Sequence, residues 1–401
     1  MLLVGSGGRE HALAWRLAAS PLLTELHAAP GNPGIATLAT CHPVAADDGD
    51  GLLGLARFLA VDLVVVGPEA PLVAGVADVL RHAGVPVFGP SAAAARIEGS
   101  KRYAKELMAA VGVPTAATFD SPRVPCVLKA DGLAAGKGVV VCRTAAELAA
   151  GLDVVRRLGE PLLFEELLEG PELSVLALCD GREALVLAPA RDFKRAYDGD
   201  AGPNTGGMGS FAPVPEMDDD GLATIVESCV DPVLAELARR GSPFVGTLFV
   251  GLMLTSAGPR VLEYNCRFGD PETQSVLPLV EGDLLEALAA AAQGSFDGIR
   301  LGRAERSAVT VVLTAGDYPR SGARGAPIDG VAAAEALGAL VFQAGTALSD
   351  GRLVANGGRL LGITGTGPTL AAARSLAYAA ADAIHIPGSR RRDDIASDAS
   401  T

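Results

Sequence analysis

One short run of the chain carries two oxygen ligands at the spacing of a β-strand. It reads Val261-Leu262-Glu263-Tyr264-Asn265, and strand alternation places Glu263 and Asn265 on one face and their apolar neighbours on the other. A carboxylate beside an amide oxygen suits a hard cation such as Mg2+, which takes few ligands from protein and completes its shell with phosphate oxygens and water. An edge strand with its polar side chains turned to solvent is the alternative interpretation.

A glycine-rich segment predicts a binding site for phosphate groups. Residues 129–138 read KADGLAAGKG, and no Gly-Lys-Ser/Thr closes the segment as it would in a P-loop. Small residues, Gly136 and Gly138 among them, instead let the backbone wrap phosphate oxygens. Lys129 supplies a point charge at the end of a strand. The alternative is a solvated hairpin loop with a surface lysine.

The run from Phe164 to Glu172 could bind the adenine and ribose parts of a nucleotide. Its first residues read as the end of a strand, where backbone groups of Glu165, Glu166 and Leu168 can meet the edge of an adenine ring. Glu172 then suits ribose hydroxyls. Acidic runs of this kind are more often simply solvated, so the run carries little weight on its own.

The first turn of the chain invites a different interpretation. Gly5-Ser6-Gly7-Gly8-Arg9-Glu10 follows an apolar run and resembles a dinucleotide-binding fingerprint. The third glycine position holds Glu10, however, which crowds the close approach of helix and strand that glycine permits. NAD binding is therefore disfavoured. A tight strand-to-helix turn, or a helix start that binds a substrate phosphate through its N–H groups, remains open.

Three loop segments carry charged groups and N–H donors that suit small anionic substrates. They contain Asp192, Lys194 and Arg195, then Thr205, Gly206 and Gly207, and finally Arg267. Arg267 can fork onto a carboxylate because its guanidinium is planar. For Lys194 and Arg195 the alternative is an ordinary surface pair of little energetic value.

Histidine-based catalysis is not indicated. The five histidines form no arrangement with serine and aspartate that is legible in the sequence, and only His11 lies near a glycine-rich turn. Each is interpreted as a surface residue or a satisfied core residue.

The elements that position these residues fall into successive units. Alternating strands and helices over residues 1–100 predict a parallel, doubly wound N-terminal domain of Rossmann-like type. Ser100 is placed to cap a helix from Lys101 to Val111, which ends before Gly112. Residues 101–300 then predict a second domain.

That second domain contains an expected lid subdomain at about residues 121–173, with a strand at Leu162–Glu166. The Gly-, Pro- and Asn-rich stretch from Asp198 to Gly209 predicts a mobile loop. Residues 301–388 predict a small α+β domain that includes a strand at Leu340–Gln343. Residues 389–401 are expected to be a flexible tail.

Length and composition exclude several classes of protein. At 401 residues the chain is long enough for several packed units, and its net charge of −14 argues against a nucleic-acid binder. The six cysteines show no CxxC pairing, which favours reduced thiols and a cytoplasmic setting. No signal peptide or membrane-spanning run is legible, so no membrane partner is expected.

The motifs in their order and spacing resemble the glycinamide ribonucleotide synthetases, a family of ATP-grasp enzymes. The resemblance covers nearly the whole chain and is carried by GSGGREHALAW, VGPEAPLVAGV, GPSAAAARIEGSKRYAKELM, LKADGLAAGKGVVV, GPNTGGMGSFAPVP, GLMLTSAGPRVLEYNCRFGDPETQ and ANGGRLLGIT. It implies an α/β and α+β multidomain architecture: an ATP-grasp fold with an N-terminal preATP-grasp domain and a small C-terminal α+β domain.

The resemblance also assigns roles to residues. It implies that ATP is held by Lys101, Lys129, Gly136, Gly138, Glu165, Glu166, Leu168 and Glu172, and that Glu263 and Asn265 hold Mg2+ or Mn2+. The site for phosphoribosylamine and glycine is implied at Gly7, Gly8, Glu69, Asp192, Lys194, Thr205, Gly206, Gly207 and Arg267. The implied catalytic groups are Arg267, Lys129 and Asp192.

The activity implied is the ATP-dependent joining of glycine to 5-phosphoribosylamine through a glycyl phosphate, in purine biosynthesis. Positioning and electrostatics would carry such a phosphoryl transfer, and a closing lid would keep water from the acyl phosphate. The partners expected are small molecules only, and a monomer is expected.

The chain departs from the family pattern in places. The first strand begins almost at its turn, and position 193 is Phe where many members of the family carry His or Tyr. Any hydrogen bond from that side chain is therefore absent. The segment between Val141 and Pro161 is compact, and the tail matches only loosely.

Three other functions remain open at this stage. A different ATP-grasp ligase, such as a carboxylase of a purine intermediate or a dipeptide ligase, is disfavoured by the run Arg267–Asp270 and by the PNTGGMG run at residues 203–209. A non-catalytic nucleotide-binding module is disfavoured because Lys129, Glu263 and Asn265 are all present. A dehydrogenase is disfavoured by the incomplete dinucleotide fingerprint.

Overall fold

Residues 1–99 form a parallel sheet between helices. In this computed structural model, which describes residues 1–133, 138–158 and 161–400, the N-terminal strands are β1 (Leu2–Gly5), β2 (His27–Pro30), β3 (Thr40–Cys41), β4 (Val64–Val66) and β5 (Val87–Phe88). The helices are α1 (Gly8–Ala18), α2 (Gly49–Phe58), α3 (Glu69–Val73), α4 (Val76–His82) and α5 (Ala92–Gly99), with a 3-10 turn at Ile35–Thr37. The sheet order is β3-β2-β1-β4-β5 and all its pairings are parallel. Helices cover both faces, which is why strands such as β1 are apolar throughout.

A second, antiparallel sheet follows as a small unit. Its elements are α6 (Lys101–Val111), β6 (Thr118–Phe119), β7 (Cys126–Ala130), β8 (Val139–Cys142), α7 (Ala145–Arg156) and β9 (Leu162–Glu166). The strand order is β6-β9-β7-β8. Thr144 caps α7 in a capping box with Glu147, and the helix packs on the sheet over Cys126, Leu128 and Cys142.

The central unit is built on long antiparallel strands. Its strands are β10 (Glu172–Asp180), β11 (Ala184–Val186), β12 (Arg191–Asp192), β13 (Arg195–Tyr197), β14 (Ala201–Asn204), β15 (Gly209–Ala212), β16 (Val245–Thr255), β17 (Gly258–Asn265), β18 (Val280–Glu281) and β19 (Gly302–Arg303). The helices are α8 (Asp219–Ile225), α9 (Asp231–Arg239), α10 (Glu272–Val276) and α11 (Leu284–Gln293), with a π-helical turn at Val226–Val230 and a 3-10 turn at Leu277–Leu279. The main sheet has the order β11-β10-β16-β17.

The C-terminal unit shares a sheet with the central unit and has a second sheet of its own. Its strands are β20 (Ser307–Ala315), β21 (Ala323–Pro327), β22 (Leu340–Gln343), β23 (Thr346–Ser349), β24 (Arg352–Gly357), β25 (Arg359–Gly367) and β26 (Ser389–Arg390), with helices α12 (Val331–Ala336) and α13 (Leu370–Asp382) and a 3-10 turn at Asp398–Ser400. Strands β21, β24 and β23 form the separate three-stranded sheet. The joint sheet runs β12-β15-β20-β25-β22, and β26 pairs with β20. Pairing of β15 with β20 therefore crosses the domain boundary predicted at residue 300.

Residues 389–396 pack within the fold, which corrects the prediction that the tail from residue 389 is flexible. Ser389 and Arg390 pair with β20, and Arg392 and Ile395 are almost wholly buried. The polar sequence of this segment suggested solvation. Its arginines instead find backbone carbonyls and carboxylates within the fold, so the segment packs despite its polarity.

The stretch expected to be a mobile loop also contains regular structure. Strands β13 and β14 pair as a hairpin with Arg195 opposite Asn204, and β15 begins at Gly209. Gly199, with φ of 65°, turns the hairpin. The glycines and Pro203 that suggested a loop are accommodated at turns and at an edge strand.

None of the helices within the described ranges has the length and apolar character needed to cross a membrane.

Candidate functional site

The Glu263 carboxylate lies near several positively charged side chains. It stands on β17 beside a bulge, where Gly251 pairs with Glu263 and Leu252 pairs with Val261. Tyr264 points to the other side, is buried, and donates its hydroxyl to Cys229 O at 2.6 Å. Tyr264 therefore lies on the buried side of β17, as strand alternation predicts, whereas the bulge interrupts the pairing at Leu262.

Four cations act on the Glu263 carboxylate without pairing with it directly. Burial raises the pKa of Glu263, but the positive charges of Lys194, Lys129, Lys101 and Arg267 outweigh burial and lower it below its ordinary value. Within the described part of the chain, no hydrogen bond or ion pair engages this carboxylate. Glu263 is thus an ionised acid with unused oxygens.

Asn265 shares one of these cations with Glu263. Its Oδ1 accepts from Nη2 of Arg267 at 3.4 Å, a long hydrogen bond. No group of three or more His, Cys, Asp or Glu side chains among the described residues forms a ready metal cage. One carboxylate and one amide oxygen fit a Mg2+ that takes its other ligands from phosphate and water.

Lys129 connects the small antiparallel sheet to β17. Its Nζ donates to Leu262 O at 2.8 Å and pairs with Glu165 Oε2 at 2.8 Å, and the residue is 6% exposed. An ammonium has three donors, so two contacts leave one for a ligand. Lys101, which donates to Gly132 O at 2.8 Å, lies close enough to act on the same carboxylate.

Glu165 acts through its side chain, which the sequence analysis did not predict. It is 2% exposed and lies between Lys129 and Lys105, whose Nζ is 3.3 Å from Glu165 Oε1. Lys105 also donates to Thr115 Oγ1 and Ala116 O, both at 2.8 Å. The carboxylate therefore holds two lysines in place. Sequence reasoning missed Lys105 because nothing local marks a helix lysine as buried.

Some polar groups of the residues near Glu165 already have partners within the protein. Glu166 donates its backbone N–H to Ala117 O at 2.9 Å and pairs through Oε2 with Arg260 at 3.1 Å. That N–H is therefore not available to an adenine edge. Leu168 lies just beyond the end of β9 and is buried. Gly138 follows the loop outside the described ranges that contains Gly136.

Lys194 is held among acids at the rim of the site. Its Nζ donates to Glu172 Oε2 and lies 3.8 Å from Asp192 Oδ1. Burial lowers the pKa of Lys194, but Asp192, Glu172 and Glu263 raise it well above its ordinary value. The residues predicted for ribose, substrate and metal thus surround one ammonium.

Asp192 is a buried acid with an unused oxygen. Its side chain is 5% exposed, and among the described residues Oδ1 has no hydrogen-bond partner. Burial raises the pKa of Asp192 to about 8, against the charge of Lys194, and the acids Glu272, Glu172 and Glu263 raise it further. Such a group can exchange a proton near neutral pH.

Arg267 is fixed by partners from two units. Its guanidinium lies 3.2 Å from Glu69 Oε2 and 3.4 Å from Glu98 Oε1, and Nη1 donates to Phe268 O at 3.2 Å. Most of its donors are therefore occupied, so its planar fork faces protein acids and not open space. Glu98 was missed by the sequence analysis, although it lies only three residues before Lys101.

The first turn is closed by Glu10. Its Oε2 accepts from the Gly7 N–H at 2.6 Å, and its Oε1 accepts from Arg9 Nε at 2.6 Å. A side chain on Gly5, where φ is 129°, would meet the Glu10 side chain at 2.5 Å. The acid thus occupies a donor that a dinucleotide phosphate would need, which supports the expectation against NAD.

A second set of contacts links Gly206 and the turn at Asp270, which lies beside Gly8, to Tyr318 and Arg359 of the C-terminal unit. Arg359 pairs with Asp270 Oδ2 at 2.8 Å, and the Gly206 N–H donates to Tyr318 Oη at 2.9 Å. A side chain on Gly8 would meet Gln274 at 2.8 Å, beside Asp270. Arg359, Tyr318 and Asp270 were not predicted as site residues.

Residues 192–207, hereafter the substrate loop, are tied together by Thr205. Its hydroxyl donates to Lys194 O at 2.8 Å and accepts from the Gly207 N–H at 3.0 Å. Gly207 has φ of 110°, and a side chain there would meet Pro271 at 2.3 Å. Glycine is therefore required where the loop passes the turn at Asp270.

The N-terminal parallel sheet, the small antiparallel sheet and the central sheet meet at a cleft lined by lysines and acids, and this arrangement is that of an ATP-grasp enzyme. Three family models match in sequence order: the phosphoribosylglycinamide synthetase N domain at residues 1–98, its ATP-grasp (A) domain at 99–273 and its C domain at 308–398. The chain belongs to the phosphoribosylglycinamide synthetase family.

Relatives align along nearly the full length. Proteins named phosphoribosylamine–glycine ligase from Brucella melitensis and Streptomyces coelicolor are 47% and 48% identical, over 98% and 100% of this chain and 97% and 99% of their own. The crystal structure of phosphoribosylamine–glycine ligase from Thermotoga maritima has a TM-score of 0.83 at 34% identity, covering 98% of this chain and 99% of that one.

A more distant neighbour shows the fold alone. The biotin carboxylase domain of Hydrogenobacter thermophilus 2-oxoglutarate carboxylase, solved with MgADP and bicarbonate, has a TM-score of 0.69 at 17% identity and covers 97% of this chain and 91% of its own.

Proposed function

We propose that the chain joins glycine to 5-phosphoribosylamine with the use of ATP, giving glycinamide ribonucleotide, ADP and phosphate in purine biosynthesis. The observation that carries the proposal is the Glu263 carboxylate, ionised and unpaired among Lys101, Lys129, Lys194 and Arg267. A polyphosphate and a metal ion would complete such a site. The names and coverage of the relatives support glycine and phosphoribosylamine as substrates.

For the metal, we propose that Glu263 and Asn265 hold Mg2+ or Mn2+. A bound Mg2+ would offset charge on the transferring phosphoryl group. The open oxygens of Glu263 favour this role, and the long hydrogen bond between Asn265 and Arg267 is weak enough to be replaced. Both ligands are hard oxygens, as this metal prefers.

For ATP, the proposed contacts follow the cleft. Lys129 and Lys101 would bind phosphate oxygens, with the loop at Gly136 and Gly138 covering them. The adenine and ribose contacts proposed are Glu165, Glu166, Leu168 and Glu172. Because the Glu165 side chain holds Lys129 and Lys105, its contribution would be to orient the phosphate-binding lysine.

For the small substrates, the proposed contacts are Gly7, Gly8, Glu69, Asp192, Lys194, Thr205, Gly206, Gly207 and Arg267. The glycine carboxylate would attack the γ-phosphorus of ATP, releasing ADP and leaving glycyl phosphate. The amine of phosphoribosylamine would then attack the acyl carbon, and phosphate would leave as the amide forms. Lys129 would stabilise charge on the transferring group.

Asp192 and Arg267 complete the proposed catalytic set. The attacking amine must lose a proton. Asp192 Oδ1, at the start of the substrate loop, has no hydrogen-bond partner among the described residues and is suited to accept it. Arg267, held by Glu69 and Glu98, would present its remaining donor surface and its positive charge to the carboxylate or acyl phosphate.

A substrate panel tests the proposal. ADP release by the purified protein should require glycine, phosphoribosylamine and a divalent metal together, and the product should be glycinamide ribonucleotide by mass spectrometry. Release of ADP with bicarbonate in place of glycine would instead indicate a carboxylase.

A cytoplasmic enzyme acting as a monomer is part of the same proposal. All six cysteines are free thiols and five are buried, which suits a reducing compartment. Analytical ultracentrifugation tests the monomer directly, and a sedimentation coefficient of a dimer would contradict it.

A further inference from the structure

Residues 389–396, here named the C-terminal strap, lie against the substrate loop. Arg390 donates to Ala196 O at 2.6 Å, and the Asp393 N–H donates to Asp198 Oδ1 at 2.8 Å. The Gly199 N–H donates to Asp394 Oδ2 at 2.8 Å. The strap therefore contacts the hairpin of β13 and β14 along its length.

Arg392 is the anchor of the strap. It is 1% exposed, and it forks onto Asp394 with two hydrogen bonds of 2.7 Å. Its Nη1 reaches across to Asp200 Oδ1 at 2.8 Å and Arg195 O at 3.2 Å. A guanidinium that is buried among fixed acceptors holds them in one geometry, because each lost contact would leave a desolvated donor.

The same guanidinium covers Phe193. Its central carbon lies 5.0 Å from the centre of the Phe193 ring, within range of a cation–π contact. Phe193 stands between Asp192 and Lys194, whose side chains face the cleft. Its ring also packs against Phe211 with centroids 6.2 Å apart. Arg392 thus fixes the backbone from which both polar side chains extend.

We infer that Arg392 is a positioning residue that sets the affinity for phosphoribosylamine and glycine by holding the substrate loop. The inference rests on the proposed function, since it takes Asp192, Lys194 and Thr205 as contacts of the small substrates. Arg392 itself touches none of the proposed ligands. Its effect is transmitted through Phe193 and through the hairpin.

Steady-state kinetics of Arg392→Met test the inference. Without the fork, the substrate loop samples several geometries, and KM for phosphoribosylamine or glycine should rise about tenfold. KM for ATP should stay within about twofold, because the proposed ATP contacts other than Glu172 lie on other elements. Arg392→Lys, which keeps the charge but not the planar fork, should give an intermediate KM.

Arg391→Gln is the matched control. Arg391 pairs with Asp382 and Asp393 and makes no contact with the hairpin among the described residues. The KM values of the Arg391→Gln variant should therefore equal those of the unaltered protein. An equal rise of all three KM values in Arg392→Met would indicate a general loss of structure and overturn the inference. Unchanged KM values would overturn it as well.

Two further measurements keep the inference separable from the proposed function. If Arg392→Met does not fold, Asp200→Asn at the exposed hairpin tip removes the negative charge from one partner of Arg392, and an unchanged KM for both small substrates would then count against the strap. If the unaltered protein shows no glycine-dependent turnover, the proposed function fails. Hydrogen exchange of residues 195–204 still tests the strap in that case: faster exchange in Asp200→Asn is expected, and equal exchange contradicts it.

Discussion

Glu98 and Arg267 form an ion pair between the N-terminal sheet unit and the segment that follows β17. Oε1 lies 3.4 Å from Nη2, and the two side chains are 9% and 19% exposed. Glu98 also accepts from the Cys266 N–H at 2.7 Å, so it holds both the backbone and the side chain at this point. The pair therefore fixes Arg267 relative to Glu69 and Asn265.

We expect Glu98→Gln to lower kcat/KM roughly tenfold, because the amide keeps an acceptor for Cys266 but loses the charge that orients Arg267. The fold should survive, since Glu69 still pairs with Arg267. Steady-state assays compare this variant with Glu286→Gln, a change at an exposed helix position. Equal kcat/KM values in the two variants would show that the charge of Glu98 does not orient Arg267 for catalysis.

Glu263→Gln should remove metal binding at the proposed site. The amide cannot supply a charged ligand, so saturation of turnover by Mg2+ should be lost and activity should fall at least about a hundredfold. Binding of Mn2+ in the presence of ATP, followed by electron paramagnetic resonance, gives a readout independent of turnover. A variant that binds Mn2+ as tightly as the unaltered protein would refute the assignment.

Asp192→Asn should change the pH profile. A base with a pKa raised to about 8 must lose its proton to act, so kcat/KM for phosphoribosylamine should rise as pH increases towards 8 and then level off. In the variant the rising limb should disappear while the remaining activity is low. A rising limb that persists in Asp192→Asn would assign the titration to another group.

His11 should make stability depend on pH. It is buried where α1 meets β22, accepts from the Gln343 N–H at 2.8 Å, and has a pKa lowered by burial to about 4. The unfolded chain takes up the proton near 6.5 and the folded chain only near 4. The contribution of His11 to the free energy of unfolding is therefore fully present above the unfolded-state pKa of 6.5. It is lost as the pH falls from 6.5 to about 4, and the total loss is about 3 kcal/mol.

Urea unfolding at pH 7.5 and pH 4.5 checks this. His11→Asn keeps an acceptor for Gln343 but has no proton to gain, so its midpoint should shift less between the two pH values. His82→Asn, at an exposed helix end, should behave as the unaltered protein does. An identical shift in all three proteins would remove His11 as the cause.

Local patterns predicted many elements because their signals are contained in a few residues. The helix Lys101–Val111 and the strands Leu162–Glu166 and Leu340–Gln343 have the limits expected from capping, periodicity and turn residues. Strand alternation predicted that the side chains of Glu263 and Tyr264 lie on opposite faces of β17. The incomplete fingerprint at Glu10 argued against a dinucleotide site, and in the structure the Glu10 carboxylate accepts the Gly7 N–H.

Contacts between distant segments were not predictable from the sequence. Glu98 meets Arg267, and Arg359 meets Asp270, only after separate units have packed, and no local pattern encodes such a meeting. The tail was misjudged for the same reason. The polar composition of the tail is typical of solvated chain ends. Arg392 is nevertheless buried, because the hairpin of β13 and β14, which is distant in sequence, provides hydrogen-bond acceptors for its guanidinium.

The sheet shared by β15 and β20 has a consequence for synthesis of the protein on the ribosome. Residues 209–212 of β15 cannot pair with residues 308–311 of β20 until the ribosome has translated the latter. Until then an apolar strand edge stays open to the wrong partner, and pairing across so long a stretch of chain closes slowly. A nascent chain that stalls before this point would expose an aggregation-prone edge beside the nearly finished cleft.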